Sequence, residues 1–259
     1  MKLPIYQVDA FSKNVFGGNP AAVCPLGEWL PSELMQKLAM ENNLSETAFI
    51  VPEKDGYGLR WFTPTTEVDL CGHATLATAH VLFEHLAYPK KEINFYTKSG
   101  KLVVQKEGDR LMMDFPADKM EKVVAPPILL QSIGVKEGDV YRSDDYMVVL
   151  QDEEQVASLE PNFSMLAEVD ARGVIVTAPG KSVNFVSRFF APQSGINEDP
   201  VTGSAHTKLV PYWAQRLGKN ELEARQISKR GGDLSCRLKG DRVEILGHAA
   251  TYLTGEIEF

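Results

Sequence analysis

A short motif occurs twice in the chain, and each copy opens a helix. The first runs Asp69-Leu70-Cys71-Gly72-His73-Ala74-Thr75-Leu76-Ala77-Thr78-Ala79-His80-Val81-Leu82-Phe83, and the second begins Asp199-Pro200-Val201-Thr202-Gly203-Ser204-Ala205-His206. A helix that is small or apolar nearly all round has no side to give to water, so it must be enclosed. Its first-turn amides then lack intrahelical partners inside a buried site, which suits an anion. Gly72-His73-Ala74 aligns with Gly203-Ser204-Ala205 at an offset of 131 in a chain of 259 residues. The expectation is a duplicated chain in which two buried helix starts face each other across one site.

The rest of the sequence repeats in the same order. In the first half, residues 21–24 read as a strand and 31–42 as a helix with a stripe of Leu34, Met35, Leu38 and Ala39. Residues 48–51 and 59–62 read as strands, the buried helix reaches to about Leu86, and 93–97 is a further strand. A hairpin around Glu107-Gly108-Asp109-Arg110 closes this half. Residues 147–150, 159–166 (a shortened helix), 174–176 and 189–192 answer these blocks, and Gly240-Asp241-Arg242 repeats the hairpin tip. A period near 130 is too long for a solenoid and marks a domain duplication. The periodic pattern lapses between Ala117 and Pro127, dividing the chain into halves of 1–117 and 118–259, the last strand being free to return to the first half. A ligand is expected between the halves, since domain interfaces are preferred pocket sites. Pro211 is expected to kink or shorten the second buried helix.

Composition narrows the partners. A net charge of −8 and a pI near 5.2 argue against nucleic acid or an anionic membrane, both of which need a basic footprint. No apolar run approaches the roughly 18 residues of a spanning helix, and the polar start does not read as a signal peptide. Three cysteines, an odd number, make no disulfide framework and point to the cytoplasm. The expected partner is a small molecule.

Several residues are candidates for chemistry. Glu46 precedes an apolar strand, while the matching place in the second half holds Ala171-Arg172-Gly173, with no acid. A loop acid is ordinarily solvated or a cap, but burial here would raise its pKa and make it a base usable near neutrality. Asp199 fits a turn or capping role before Pro200 as well as a functional one. His73, in a first helix turn, is expected to stay neutral and to pass a proton or donate one hydrogen bond. Ser204 takes the matching place and reads as a hydrogen-bond donor. Cys71, at a helix start, is expected to have a lowered pKa. Its counterpart is Thr202, so a symmetric two-thiol pair cannot form. Cys24 and Cys236 read as core. The five histidines show no ligand spacing with Cys or acids, so no metal is expected. Neither a dinucleotide fingerprint nor a phosphate loop is present.

Val8-Asp9-Ala10-Phe11, Gly18-Asn19-Pro20-Ala21-Ala22-Val23, Asn43-Leu44-Ser45-Glu46-Thr47-Ala48-Phe49, and the two helix-start motifs together resemble the PhzF-like phenazine-biosynthesis isomerase family, over essentially the whole chain. The resemblance implies an α+β fold like that of diaminopimelate epimerase: two pseudo-symmetric domains, each a mixed β-sheet rolled around a central buried helix. It implies a cofactor-independent proton shift within a small, cyclic or unsaturated carboxylic acid. Glu46 matches the family's acid/base, and Asp199, His73 and Ser204 match residues that hold and polarise the substrate. Backbone amides at Gly72, His73, Gly203 and Ser204 would bind its carboxylate. The family's usual homodimer is expected. The alternatives are an amino- or hydroxy-acid racemase or epimerase using Cys71, and a non-catalytic carboxylate-binding protein.

Overall fold

The computed structural model describes residues 2–259. The first elements are β1 (Lys2–Ala10), β2 (Asn19–Pro25), α1 (Ser32–Asn42), β3 (Glu46–Glu53), β4 (Gly56–Phe62), β5 (Glu67–Val68), α2 (Gly72–Glu84), β6 (Glu92–Thr97), β7 (Gly100–Glu107) and β8 (Arg110–Pro116). Next come β9 (Glu121–Val123), α3 (Pro127–Ser132), β10 (Asp139–Arg142), β11 (Tyr146–Val149), α4 (Glu153–Ala157), α5 (Phe163–Leu166), β12 (Val174–Pro179), β13 (Phe185–Ala191) and β14 (Ile196–Asp199). The last are α6 (Gly203–Leu217), β15 (Glu221–Gln226), β16 (Gly232–Lys239), β17 (Arg242–Gly247) and β18 (Ala249–Glu258). One compact unit takes the chain up to Asp114 together with Glu244–Phe259, and the other takes Phe115–Val243.

The pairing pattern within each unit displays the repeat. In the first, β1 lies antiparallel to β18 and β2, β2 parallel to β3, β3 antiparallel to β4, β4 parallel to β6, and β6 antiparallel to β7. In the second, β10 lies antiparallel to β11, β11 parallel to β12, β12 antiparallel to β13, β13 parallel to β15, and β15 antiparallel to β16. Parallel neighbours need a crossover rather than a hairpin. The two crossovers of the first unit carry α1 and α2, and those of the second carry α4 with α5 and then α6. A matching ion pair fixes the register of the copies. Arg60 grips Glu67 through Nε and Nη2 at 2.7 and 2.9 Å, and Arg188 grips Glu198 at the same two distances.

The buried helices behave as their composition demands. In α2 the residues His73–Ala79, Val81 and Leu82 are all buried, packed against β1, β2 and β3. Its hydroxyls are accommodated locally: Thr75 Oγ1 donates to the Cys71 carbonyl at 2.6 Å and Thr78 Oγ1 to the Ala74 carbonyl at 2.7 Å, so neither is left unpaired in the core. Helix α1 buries only Met35 and Ala39 of its expected stripe, in a separate cluster with Leu3, Cys24, Phe49 and Phe62. Asn43, with φ 49°, ends it in the left-handed conformation that asparagine tolerates.

Two sequence expectations need correction. Of the helix expected over 159–166 only the single turn α5 is helical, with α4 lying ahead of that range; α5 is started by Asn162, whose side chain accepts from the Met165 N–H at 3.1 Å. Pro211 does not shorten α6, which runs through it to Leu217. Proline removes the N–H that would have bonded the carbonyl four residues back. That carbonyl, of Thr207, accepts instead from the Asp118 N–H at 3.0 Å, so nothing is orphaned.

His206, in the same helix, yields a stability prediction. It is fully buried, its Nδ1–H donates to the Thr202 carbonyl at 2.8 Å, and burial pushes its pKa down to about 4. Unfolding lets it take up a proton below pH ~6.5, so stability falls as pH drops through that value. Between pH 7 and pH 5 this one group should cost about 2 kcal/mol. Urea unfolding at the two pH values should show that difference shrinking by about this amount in His206→Asn.

Candidate active site

Each unit carries one cluster of the expected site residues. In the first, the turn before β2 and the starts of β3 and α2 bring Asn19, Glu46, Cys71 and His73 together. Gly18 makes the turn possible: its φ is +63°, and a Cβ there would lie 2.1 Å from the Ala10 carbonyl oxygen. The chain therefore delivers Asn19 against α2, where its Nδ2 lies 3.2 Å from His73 Nδ1. Glu46 is the first residue of β3 and is buried, with Oε2 3.1 Å from His73 Nε2. Cys71 is the N-cap of α2, with Sγ 3.5 Å from His73 Nδ1. One donor atom from each of Glu46, Cys71 and His73 lies within 4.8 Å of the others. Linear spacing concealed this set, because β3 and α2 are joined by a long excursion through β4 and β5.

Two electrostatic expectations are overturned. The Cys71 thiol is not activated by the helix start; burial pushes its pKa up to about 11, with the Glu46 carboxylate adding to the effect. Burial works against the His73 imidazolium too, but the Cys71 sulfur and the Glu46 carboxylate work for it, and its pKa stands well above the ordinary value. At neutral pH the thiol is uncharged, so the carboxylate is the neighbour that matters. A nearby opposite charge outweighs the helix-dipole penalty that suggested a neutral ring.

In the second unit, Asp199 ends β14 and its Oδ2 accepts from Thr202 Oγ1 at 2.5 Å. Thr202 is the N-cap of α6, but its hydroxyl is directed to Asp199 and does not cap the helix. Gln226, unforeseen in the sequence, braces the pair: its Oε1 accepts from the Thr202 N–H at 2.9 Å and its Nε2 donates to the Asp199 carbonyl at 2.7 Å. Gly203 and Ser204 form the first turn of α6, and Arg172 Nη2 donates to Ser204 Oγ at 3.2 Å and to the buried Asp145. Lys208 adds a second cation, 2.9 Å from Asp118 Oδ2 and 3.3 Å from Asp145 Oδ2. Neither Cys71 nor Thr202 uses its side chain as the helix cap, so the first-turn amides of Gly72 and Gly203 keep the anion-binding character of helix starts.

The repeated mixed sheets and buried crossover helices place the chain in the epimerase-like α+β class. A solved hydroxyproline epimerase of Agrobacterium vitis shares the fold alone, at 13% identity and a TM-score of 0.66 over 99% of this chain and 92% of that one. The family model described as phenazine biosynthesis-like protein matches residues 8–255, and the chain belongs to this PhzC–PhzF family. An uncharacterized isomerase of Pseudomonas aeruginosa is 54% identical over 99% of both chains. A crystal structure of a PhzF-family protein from Enterococcus faecalis is 50% identical with a TM-score of 0.98, covering all of both.

The Glu46–His73 contact is measurable. The raised His73 pKa contributes stability fully present below pH ~6.5 and lost as pH rises through the folded value. An NMR titration of the ring should show an imidazolium persisting above the ordinary histidine range. In Glu46→Gln the titration should move down; an unmoved His73 pKa would mean that the carboxylate is not its partner.

Proposed function

We propose that the protein is a cofactor-independent isomerase that shifts a proton within a small, cyclic or unsaturated carboxylic acid. Glu46 is the acid/base that removes a proton from carbon and returns it elsewhere. His73 orients the carboxyl and carries compensating positive charge, while Asp199 and Ser204 hold and polarise the substrate. The amides of Gly72 and Gly203 take its carboxylate. Abstraction from carbon needs a positioned base and a place for the developing negative charge, and helix starts are suited to the second need. The observation that carries the reading is the buried Glu46 carboxylate set 3.1 Å from the His73 ring at the mouth of a helix. The names of relatives such as the Pseudomonas isomerase agree with this class of reaction. A homodimer and a cytoplasmic location belong to the same reading, from the commonest closed symmetry and from cysteines 24, 71 and 236, all free.

A racemase in which Cys71 serves as the base is less well supported. Its thiol is buried with a pKa of about 11, and Thr202 offers no second thiol.

Incubating the protein with a small-molecule extract in deuterated water, followed by mass spectrometry, should reveal a carboxylic acid gaining one deuterium. Glu46→Gln should slow that incorporation by roughly 10²–10⁴-fold while the protein stays folded by circular dichroism. Cys71→Ser should retain most of it. Full labelling by the Gln variant would overturn the role of Glu46, and loss of labelling only in the Ser variant would favour the thiol route.

A further inference from the structure

The Glu46, Cys71 and His73 cluster holds more donor capacity than proton transfer uses. Glu46 Oε2 and His73 Nε2 face each other at 3.1 Å, yet neither makes an aligned hydrogen bond to any described residue, and both atoms are buried. The Cys71 sulfur stands beside the same ring, 3.5 Å from Nδ1. The three residues are nine-tenths or more buried. The two buried atoms pair with each other, and with the sulfur beside the same ring they bring three metal-ligating donor types within 4.8 Å of one another.

The donor types select the ligand. Carboxylate oxygen, imidazole nitrogen and thiolate sulfur are the atoms that zinc takes, at bond lengths of about 2.0–2.3 Å in a tetrahedron. Neighbouring donors in such a site stand roughly 3.2–3.7 Å apart. The oxygen–nitrogen edge is already close to that spacing at 3.1 Å, and the whole set fits within 4.8 Å. The sulfur now lies 3.5 Å from Nδ1, so Cys71 must turn about χ1 to share a cation held at Nε2. Calcium and magnesium require six or more oxygen donors or retained waters, which one buried carboxylate beside nitrogen and sulfur cannot supply.

We propose that Glu46, Cys71 and His73 form a three-ligand site for a zinc-class divalent cation, with the fourth position open. On binding, the thiol proton and the proton on His73 Nε2 leave to solvent, and Glu46 enters as carboxylate. Nδ1 keeps its proton and donates to the Asn19 amide, turned to present its oxygen, as outer partners of metal-bound histidine do. Occupancy takes the carboxylate away from substrate, so the cation acts as a reversible inhibitor. This inhibitory consequence rests on the proton-transfer role proposed for Glu46; the binding itself does not.

Cobalt(II) alone is the probe, added to the purified full chain. One equivalent should produce a near-ultraviolet thiolate-to-cobalt charge-transfer band and the intense visible bands of tetrahedral cobalt, and zinc should abolish both. Cys71→Ser should remove the charge-transfer band, and Glu46→Gln should weaken cobalt binding by tenfold or more. Both variants should remain folded by circular dichroism. His80→Gln, away from the set, should leave the spectrum unchanged. Absence of the charge-transfer band, or its survival in Cys71→Ser, would overturn the site. If the spectra follow the proposal while zinc leaves deuterium incorporation untouched, the metal site stands and the inhibitory role fails. If Glu46→Gln labels substrate as fast as the parent, it is the proton-transfer reading that fails.

Discussion

The enclosure of α2 is the constraint on which the rest depends. A helix buried from His73 to Leu82 with so little interruption needs a wall on more than one side, and β1, β2 and β3 supply it. Burial then dictates details. Threonines must turn their hydroxyls back onto helix carbonyls, and the first turn must find partners that the helix itself cannot give. Glu46 and His73 meet at that first turn, which puts the buried ion pair at the helix start. Gly247 belongs to the same enclosure: a Cβ there would lie 2.4 Å from the Phe11 ring and 3.2 Å from Leu76.

The two copies have kept what packing requires and diverged where it requires nothing. The Arg60–Glu67 and Arg188–Glu198 pairs have the same geometry, because a mostly buried guanidinium left without its carboxylate would be heavily penalised. At the helix starts the copies part. The first unit places an acid, an imidazole and a thiol there, whereas the second places Ser204 under Arg172, held by the buried Asp145. One helix start carries a buried Glu–His pair with a thiol, and the other lies beside two cations that are paired with Asp118 and Asp145.

The duplication, the near all-round burial of α2 and the unmatched Glu46 were legible in the sequence, because each is a statement about residue type and spacing. Asn19 and Gln226 were not. Asn19 meets His73 across 54 positions and Gln226 meets Thr202 across 24, and one asparagine or glutamine looks like any other until its partner is known. The behaviour of Cys71 and His73 was misjudged for a related reason. A helix start alone lowers a thiol pKa and keeps a histidine neutral, but burial dominates the first and the Glu46 carboxylate the second. That Pro211 leaves the length of α6 intact was not legible, because the donor that rescues the Thr207 carbonyl comes from Asp118, far away in the chain.

By itself the sequence determined the repeat and the identity of the residues at each helix start, since hydrophobic periodicity and glycine placement act over a few residues and survive without coordinates; the α+β class came with the family resemblance. Only the tertiary structure decided which of those residues touch, and with that their charge states, the bracing of Asp199 and the three-donor cluster at Glu46. Electric fields and ligand geometry depend on distances of a few ångströms between segments remote in the chain, and folding sets those distances.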